Sequence, residues 1–262
     1  MARFCTLCSS SGGNAAYIGT AEYGVLIDAG TNNKQLLLAM ERAGVAPEAV
    51  RAVFVTHEHN DHVGALRVFA AKRQVPVYAT GGTLAALNNA GMLDGSFHTE
   101  KLPTGGVAVG EIRVDWFRTS HDAKESCGYR VTLPDRTVGV ATDTGAVTGE
   151  IYEGLRDCDL VLMESNYDPE MLSYGPYPPS LKARIRGETG HLSNGDCAAA
   201  LCSLLDLGVR RFVLGHLSRE NNTPQLALAS ARRALNRMGA AEGRDYELWV
   251  APVANMARPI VF

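Results

Sequence analysis

The chain has 262 residues, 46% of them hydrophobic and 20% charged, and its formal net charge is −3. Such a composition can bury a core without disulfides, which excludes a disordered chain and a small cysteine-stapled scaffold. The slight acidity excludes a polycationic nucleic-acid coat protein. No apolar run approaches the roughly 18–20 residues that cross a membrane, and the N-terminus shows no signal-peptide core. We therefore expect a cytoplasmic protein without membrane contacts.

Local patterns predict an alternation of strands and helices that occurs twice along the chain. The first half combines strands at 4–8, 15–18, 24–28, 52–56 and 75–79 with helices at 33–43, 65–73 and 83–90. The second half combines strands at 112–117, 129–133, 137–141, 159–164 and 211–214 with helices at 150–156, 195–207 and 224–238. We find no linker or repeat, so the pattern favours two packed sheets with helices outside them.

The six cysteines include one C-x-x-C pair, Cys5 and Cys8, and no second pair that could complete a structural zinc site. Both fall in the first predicted strand, where a separation of three residues points side chains to opposite faces. We predict that the cysteines are small buried residues of the core.

The densest polar cluster follows the apolar strand 52–56 and reads His57-Glu58-His59-Asn60-Asp61-His62. Three imidazoles and two carboxylates in six residues fit neither a core nor an ordinary solvated face. His57 and His59 project to the same side of extended backbone and can reach one ion. Asp61 and His62, past the turn, can face a second ion. Imidazole combined with carboxylate suits Zn²⁺, Mn²⁺ or Fe²⁺.

Single polar residues follow three other predicted strands and extend this ligand set. They are His121, Asp143 and His216. Any one of them alone would more often be structural. Their common position at strand ends, after a metal-type cluster at another strand end, favours metal ligands instead.

The ordered series His57-x-His59-x-Asp61-His62, His121, Asp143, His216 resembles the metal-ligand series of the metallo-β-lactamase fold. Asp28, in Leu26-Ile27-Asp28-Ala29-Gly30, fits the early motif of that fold. The resemblance covers nearly the whole chain. It implies one α/β domain over residues 1–262, a four-layer αββα sandwich with a two-metal site along one edge of the sheets.

By that similarity, two divalent ions, Zn or Mn with Fe as a further alternative, would share seven ligands. The first ion would be held by His57, His59 and His121. The second would be held by Asp61, His62 and His216, with Asp143 bridging the two. Asp28 and Glu164 would orient ligands without touching the ions.

Four further segments resemble the YycJ/WalJ-type branch of bacterial exonucleases: 8–14, Glu164-Ser165-Asn166, Gly190-His191-Leu192-Ser193-Asn194 and 217–223. Gly-His-Leu-Ser is also similar to the Gly-His-Ala-Ser segment of the β-CASP nucleases. Those nucleases insert a whole domain between the acidic residue and this histidine, whereas here 191 − 164 = 27 positions separate the two. The resemblance therefore implies a more open site. The loop Ser11-Gly12-Gly13-Asn14 departs slightly from the Ser-Ser-Gly-Asn of the branch.

The branch implies a phosphodiesterase that hydrolyses nucleic acid, namely a 5′ exonuclease acting on DNA. Asp61 or Asp143 would accept the proton of the attacking water. His191, which the ligand series does not need, is the candidate acid for the leaving 3′-oxygen, and a hydrogen-bonding role in its loop is the alternative. Candidate phosphate contacts are Ser10, Ser11, Asn14, Ser218, Arg219 and Asn221, although turn formation explains each of these nearly as well.

Two other classes of function stay open at this stage. One is a hydrolase of a thioester, a lactone or a small cyclic phosphodiester on the same scaffold, and the other is a metal-binding module without turnover. His191 and the basic trio Lys182, Arg184 and Arg186 favour the nuclease. The trio points one way if it is extended and spreads if it is helical. For the segment 174–179 we predict a rigid loop, with base stacking on a tyrosine as the lesser alternative.

Overall fold

The computed structural model describes residues 1–253 and 259–262 of the chain. These residues form two compact units: the first holds 1–116, 123–136, 252–253 and 259–262, and the second holds 117–122 and 137–251. Two mixed seven-stranded sheets and nine α-helices occur in the described ranges. Within those ranges no helix is long and apolar enough to cross a membrane.

A seven-stranded sheet forms the centre of the first unit. Its strands are β1 (Arg3–Ser10), β2 (Gly13–Gly19), β3 (Gly24–Ile27), β4 (Val50–Phe54), β5 (Val77–Ala79), β6 (Thr99–Lys101) and β14 (Ile260–Val261). They lie in the order β14-β1-β2-β3-β4-β5-β6. The meander β1–β3 is antiparallel, as the opening pattern predicts, and β3 to β6 are parallel. The carboxyl ends of β3 and β4 therefore meet at one edge.

Helices connect the parallel strands of this unit: α1 (Asn33–Arg42), α2 (Asn60–Val63), α3 (Leu66–Arg73) and α4 (Gly81–Asn89), with a 3₁₀ turn at Pro47–Ala49. Asn32 caps α1 by accepting a hydrogen bond from Gln35 N, and the stripe of Leu36 and Met40 is buried. Helix α4 begins before the predicted position because the side chain of Thr80 provides its cap.

Three more strands belong wholly or mainly to the first unit: β7 (Val107–Val109), β8 (Ile112–Arg118, which runs through the unit boundary) and β9 (Cys127–Thr132). The prediction that Cys5 and Cys8 point to opposite faces is wrong. Both pack in one core cluster, because a bulge between Thr6 and Cys8 shifts the register of β1. Burial of the cysteines is confirmed for all but Cys202, which is half-buried.

A parallel array forms the centre of the second unit: β10 (Thr137–Ala141), β11 (Leu160–Glu164), β12 (Arg211–Gly215) and β13 (Glu247–Val250), in that order. Its helices are α5 (Gly149–Leu155), α6 (Pro169–Tyr174), α7 (Pro179–Arg186), α8 (Asn194–Asp206) and α9 (Pro224–Arg237). Ser193 accepts a hydrogen bond from Asp196 N and caps α8, while Thr223 caps α9 ahead of a proline, as predicted.

The segment predicted as a rigid loop at 174–179 is partly helical. Tyr174 is the last residue of α6 and Pro179 is the first residue of α7, so only 175–178 connect the two helices. The question left open for the basic trio is also answered, because Lys182, Arg184 and Arg186 all lie in α7. Their side chains therefore spread around a helix instead of forming one extended strip.

Candidate functional site

In the first unit, the predicted metal motif, residues 57–62, begins in the connection after β4 and continues into α2. His59 is the N-cap residue of α2, and the helix turns the chain so that His62 N donates to His59 O at 2.9 Å. The ring of His57 lies 4.5 Å from that of His59 and 4.1 Å from that of His62, measured between centroids. The motif thus gathers three imidazoles against the carboxyl end of the sheet.

Asp28 follows β3, the parallel neighbour of β4, and reaches this cluster from behind. Its carboxylate accepts hydrogen bonds from Thr56 N at 2.8 Å and Thr56 Oγ1 at 2.9 Å, and from His62 Nδ1 at 2.7 Å. Because Nδ1 of His62 donates to Asp28, Nε2 carries the lone pair that a metal needs. The structure thus brings Asp28 into contact with a predicted ligand, and its role in orienting that ligand stays a prediction.

Asn14, a predicted phosphate contact, lies instead against two predicted ligands. Its Nδ2 is 3.0 Å from His62 Nε2 and 3.2 Å from Asp61 Oδ2. The two acceptor atoms are 3.5 Å apart. An electropositive N–H thus occupies the point on which an imidazole lone pair and a carboxylate converge, which is the kind of position that a cation takes.

In the second unit, the ends of three parallel strands gather the dispersed candidates. Asp143 follows β10, Glu164 ends β11 and His216 follows β12. Ligand atoms of these three residues and of His191 all lie within 4.8 Å of one another. His121 joins them, with Nε2 at 3.8 Å from Asp143 Oδ1.

Glu164 contacts two histidines of this second cluster and is fully buried. Its Oε1 accepts from His191 Nδ1 and His216 Nδ1, both at 2.8 Å. Burial raises the pKa of Glu164, but the two imidazoles lower it by more, so the pKa lies below its usual value. Burial likewise lowers the pKa of His191, and the Glu164 carboxylate outweighs it and raises that pKa.

The pKa of His121 is shifted in the opposite direction to that of His191. Burial lowers the pKa of His121 by more than the Asp143 carboxylate raises it. Its Nδ1 donates to Gly190 O at 3.0 Å, which leaves Nε2 directed at Asp143. An imidazole whose Nδ1 is held in this way can bind a metal ion through Nε2.

The backbone is strained at three of these positions. Asp28, Asp143 and His216 have φ angles of 62°, 54° and 54°, in the left-handed region that costs a side-chain-bearing residue roughly 1–2 kcal/mol. Hydrogen bonds hold two of them in place: Asp28 N donates to Phe54 O at 2.8 Å, and Asn166 Nδ2 donates to His216 O at 2.9 Å. Such strain persists where the surrounding structure fixes the backbone, and strained positions cluster at functional sites.

The donor set fits transition metals in both units. Four of the five predicted histidine ligands have Nδ1 within hydrogen-bond distance of a protein oxygen, namely His57 (Thr56 Oγ1, 3.0 Å), His62, His121 and His216. This arrangement orients each ring for coordination through Nε2. Imidazole and carboxylate donors suit Zn²⁺, Mn²⁺ and Fe²⁺.

The other predicted phosphate contacts have mixed placements. Ser10 is buried and its Oγ accepts from Gly12 N, and Ser218 Oγ accepts from Asn221 N. Asn221 is also buried. Ser11 and Arg219 are exposed. Turn formation thus accounts for the buried members, and a role of these residues in substrate binding stays a prediction.

The sequence reasoning missed three residues that position the site. Thr56 bonds to Asp28, Thr144 N donates to Glu164 Oε2 at 2.8 Å, and Asn166 holds the backbone of His216. Each follows a strand by one to three residues, and that position was the available signal. His98, predicted to be structural or on the surface, is exposed and bonds to Glu100 at 2.6 Å.

Comparison with known proteins agrees with this chemistry. Residues 23–217 match the family model of the β-lactamase superfamily domain. The chain is 35% identical to exodeoxyribonuclease YycJ of Bacillus anthracis over 94% of its length and 93% of that protein. It is 34% identical to exodeoxyribonuclease WalJ of Streptococcus pneumoniae, with the same coverage.

Among solved structures, the metallo-β-lactamase fold protein YhfI of Bacillus subtilis matches with a TM-score of 0.72 at 15% identity, over 97% of both chains. This likeness shows the metallo-β-lactamase fold, as the sequence predicts. The chain therefore belongs to the β-lactamase superfamily of metallo-hydrolases and, within it, to the YycJ/WalJ family.

Proposed function

We propose that this protein is an exodeoxyribonuclease that removes nucleotides from a 5′ end of DNA with the help of two divalent metal ions. The observation that carries the proposal is the pairing of His191 with Glu164 in the second unit. In this pair His191 Nδ1 lies 2.8 Å from Glu164 Oε1, and His191 is a residue that the family's metal-ligand series does not need. The names of the relatives, both exodeoxyribonucleases, support the same activity.

The ligand roles follow the series of the family. His57, His59 and His121 would hold one ion. Asp61, His62 and His216 would hold the other, with Asp143 shared. Divalent ions supply a nucleophile at neutral pH by lowering the pKa of water, and they neutralise charge on the phosphoryl group.

The chain's own groups would perform the proton transfers. Asp61 or Asp143 would accept the proton of the attacking water. His191 would donate a proton to the leaving 3′-oxygen, and Glu164, whose Oε1 accepts from His191 Nδ1, would orient the ring so that Nε2 is the donating atom. The 3′-alkoxide is a poor leaving group without that proton, whereas the thiolate that leaves from a thioester has little need of an acid.

The experiment is a substrate panel with purified protein loaded with Mn²⁺ or Zn²⁺. The panel contains a 5′-phosphorylated DNA duplex, the same duplex with its 5′ end blocked, a single-stranded DNA, a cyclic phosphodiester, a thioester and a lactone. We expect the wild-type protein to shorten the 5′-phosphorylated DNA. His59→Ala should lose this activity, and His98→Ala should keep it. The proposal would be overturned if the protein hydrolysed the thioester or the lactone but left the DNA uncleaved. Cleavage from the 3′ end would overturn the proposed 5′ polarity.

A further inference from the structure

An insert of the second unit connects the end of β11 to His191 and contains α6 and α7. Both of its ends are fixed at Glu164, since β11 ends there and His191 Nδ1 donates to its carboxylate. The insert has a small core of its own, in which Tyr167, Leu172 and Ile185 are buried. His191 N also donates to Ile185 O at 2.9 Å. The insert is therefore a fixed extension of the site.

Tyr174, at the end of α6, presents its ring to solvent and is 90% exposed. Among the residues that the structure describes, the other exposed large hydrophobic side chains, Met1 excepted, have less than half of their surface accessible. The ring does not belong to a loose loop. Gly175 follows it and packs so closely that an added Cβ would lie 2.6 Å from Asn221 Oδ1, and its N donates to Met171 O.

Two cations contact Ser173, the residue that precedes Tyr174. Lys182 Nζ donates to Ser173 O at 2.8 Å, and Arg186 Nη2 donates to Ser173 Oγ at 2.6 Å, so both reach the residue next to Tyr174. They are one turn apart on α7 and share a face. We call Tyr174, Lys182 and Arg186 the Tyr174 platform.

Most of the remaining charged groups near the platform have other partners, and the two positive charges exceed the one negative charge that is left. Arg184 points elsewhere and pairs with Asp122, with Nη2 to Oδ1 at 3.0 Å. The Asp168 carboxylate caps α6. Glu170, one turn before Tyr174, is the opposing charge, so Lys182, Arg186 and Glu170 together carry 2 − 1 = +1.

We propose that the Tyr174 platform binds the single-stranded part of the nucleic-acid substrate, with one base stacked on Tyr174 and neighbouring phosphates on Lys182 and Arg186. Aromatic rings on which bases stack, combined with cations that bind the backbone, are the means by which proteins hold single strands without reading sequence. The inference rests on the proposed function, because it assigns a substrate contact to that same site. It gives an acidic protein a local positive contact for a polyanion.

The experiment separates the base from the phosphate. A 5′-phosphorylated single strand of about 12 nucleotides, within the usual footprint of such binders, is made resistant to cleavage by phosphorothioate linkages. A second strand has abasic sites in place of the bases near its 5′ end. Metal-loaded protein should bind the first strand about tenfold more tightly than the second, since stacking of one base contributes that much. Tyr174→Ala should abolish this preference and Tyr174→Phe should retain it.

Control variants test the other parts. Leu226→Ala, which changes an exposed apolar residue on α9, should keep the wild-type preference. Lys182→Ala with Arg186→Ala should weaken binding of both strands and reduce the slope of log K against log salt by about 1.4, because each phosphate contact on single strands contributes about 0.7.

The outcomes for the platform and for the proposed function are distinguishable. A Tyr174→Ala protein that keeps the base preference overturns the platform, even where DNA is still hydrolysed. A base preference that depends on Tyr174, in a protein that hydrolyses no DNA, supports the platform and removes the nuclease. Absence of binding to either strand overturns the platform outright.

Discussion

The two units of the molecule bring their candidate metal ligands together in different ways. In the first unit, six consecutive residues supply the motif and the short helix α2 folds them together. In the second unit, the residues are spread from His121 to His216, and the carboxyl ends of three parallel strands bring Asp143, Glu164 and His216 together. A local motif is visible in the sequence, whereas a cluster built from strand ends depends on strand order.

Although the two clusters are built differently, a carboxylate holds a histidine ring in the same way in both units. Asp28 accepts from His62 Nδ1 at 2.7 Å and Glu164 accepts from His216 Nδ1 at 2.8 Å. Each carboxylate also accepts from a threonine backbone N–H, of Thr56 or Thr144, at 2.8 Å. The comparison shows that a buried carboxylate orients an imidazole in each unit, and the following predictions test whether the two halves are functionally equivalent.

The largest effect should come from removing a predicted ligand of either unit. His59→Ala and His216→Ala should each lower metal content and reduce activity by more than the roughly 10–100-fold that loss of an orienting partner costs. Elemental analysis and initial rates on 5′-phosphorylated DNA measure both. His98→Ala is the matched control and should behave as wild type. If His216→Ala kept its metal and its activity, the second cluster would be structural.

The next effect concerns His191, which has no proposed equivalent in the first unit. His191→Ala should lower kcat on DNA by roughly 10²–10⁴-fold while metal content stays unchanged, because the leaving oxygen loses its acid. A nitrophenyl phosphodiester, whose leaving group needs little protonation, should be less affected. Equal losses on both substrates would contradict the acid role, and loss of metal would make His191 a ligand.

Removing the orienting carboxylates tests the equivalence directly. Asp28→Asn and Glu164→Gln keep the shape of each side chain, and asparagine tolerates the left-handed backbone at position 28. Each variant should weaken metal affinity by roughly 10–100-fold, as measured by titration with a chelator. An effect confined to one of the two variants would show that the units are not equivalent.

The smallest effect concerns electrostatic binding of duplex DNA, which we place in the second unit. With a net charge of −3 and roughly three or four phosphate contacts, the slope of log K against log salt should be about −3 to −4 on uncleavable duplex. Arg219→Ala should make the slope shallower by about 0.9. Lys34→Ala, an exposed cation of the first unit, should leave it unchanged. A slope of −8 or steeper would contradict so short a footprint.

Much of this architecture could be predicted from the sequence because its signals are local. Apolar runs ending in polar residues predicted the strands, and Ser193 and Thr223 predicted two helix starts. The density of the 57–62 segment predicted a metal site by itself. The dispersed candidates His121, Asp143 and His216 gained weight from their common position after strands.

The remainder depended on geometry that no short pattern encodes. Thr144 bonds to Glu164 only because β10 and β11 are parallel neighbours, which places the end of one strand beside the other. The bulge in β1 changed the expected faces of Cys5 and Cys8. The direction of Lys182 and Arg186 could not be read until α7 was defined, since a helix and a strand distribute the same residues differently.

The central claim is that the two clusters serve two metal ions in one reaction, and the metal content of the intact protein tests it most directly. Seven candidate ligands exceed what one ion uses. Elemental analysis of protein saturated with Zn²⁺ or Mn²⁺ and then freed of excess metal should approach two ions per chain, and His216→Ala should lower that number. A content that stays at one ion per chain, unchanged in His216→Ala, would contradict the account.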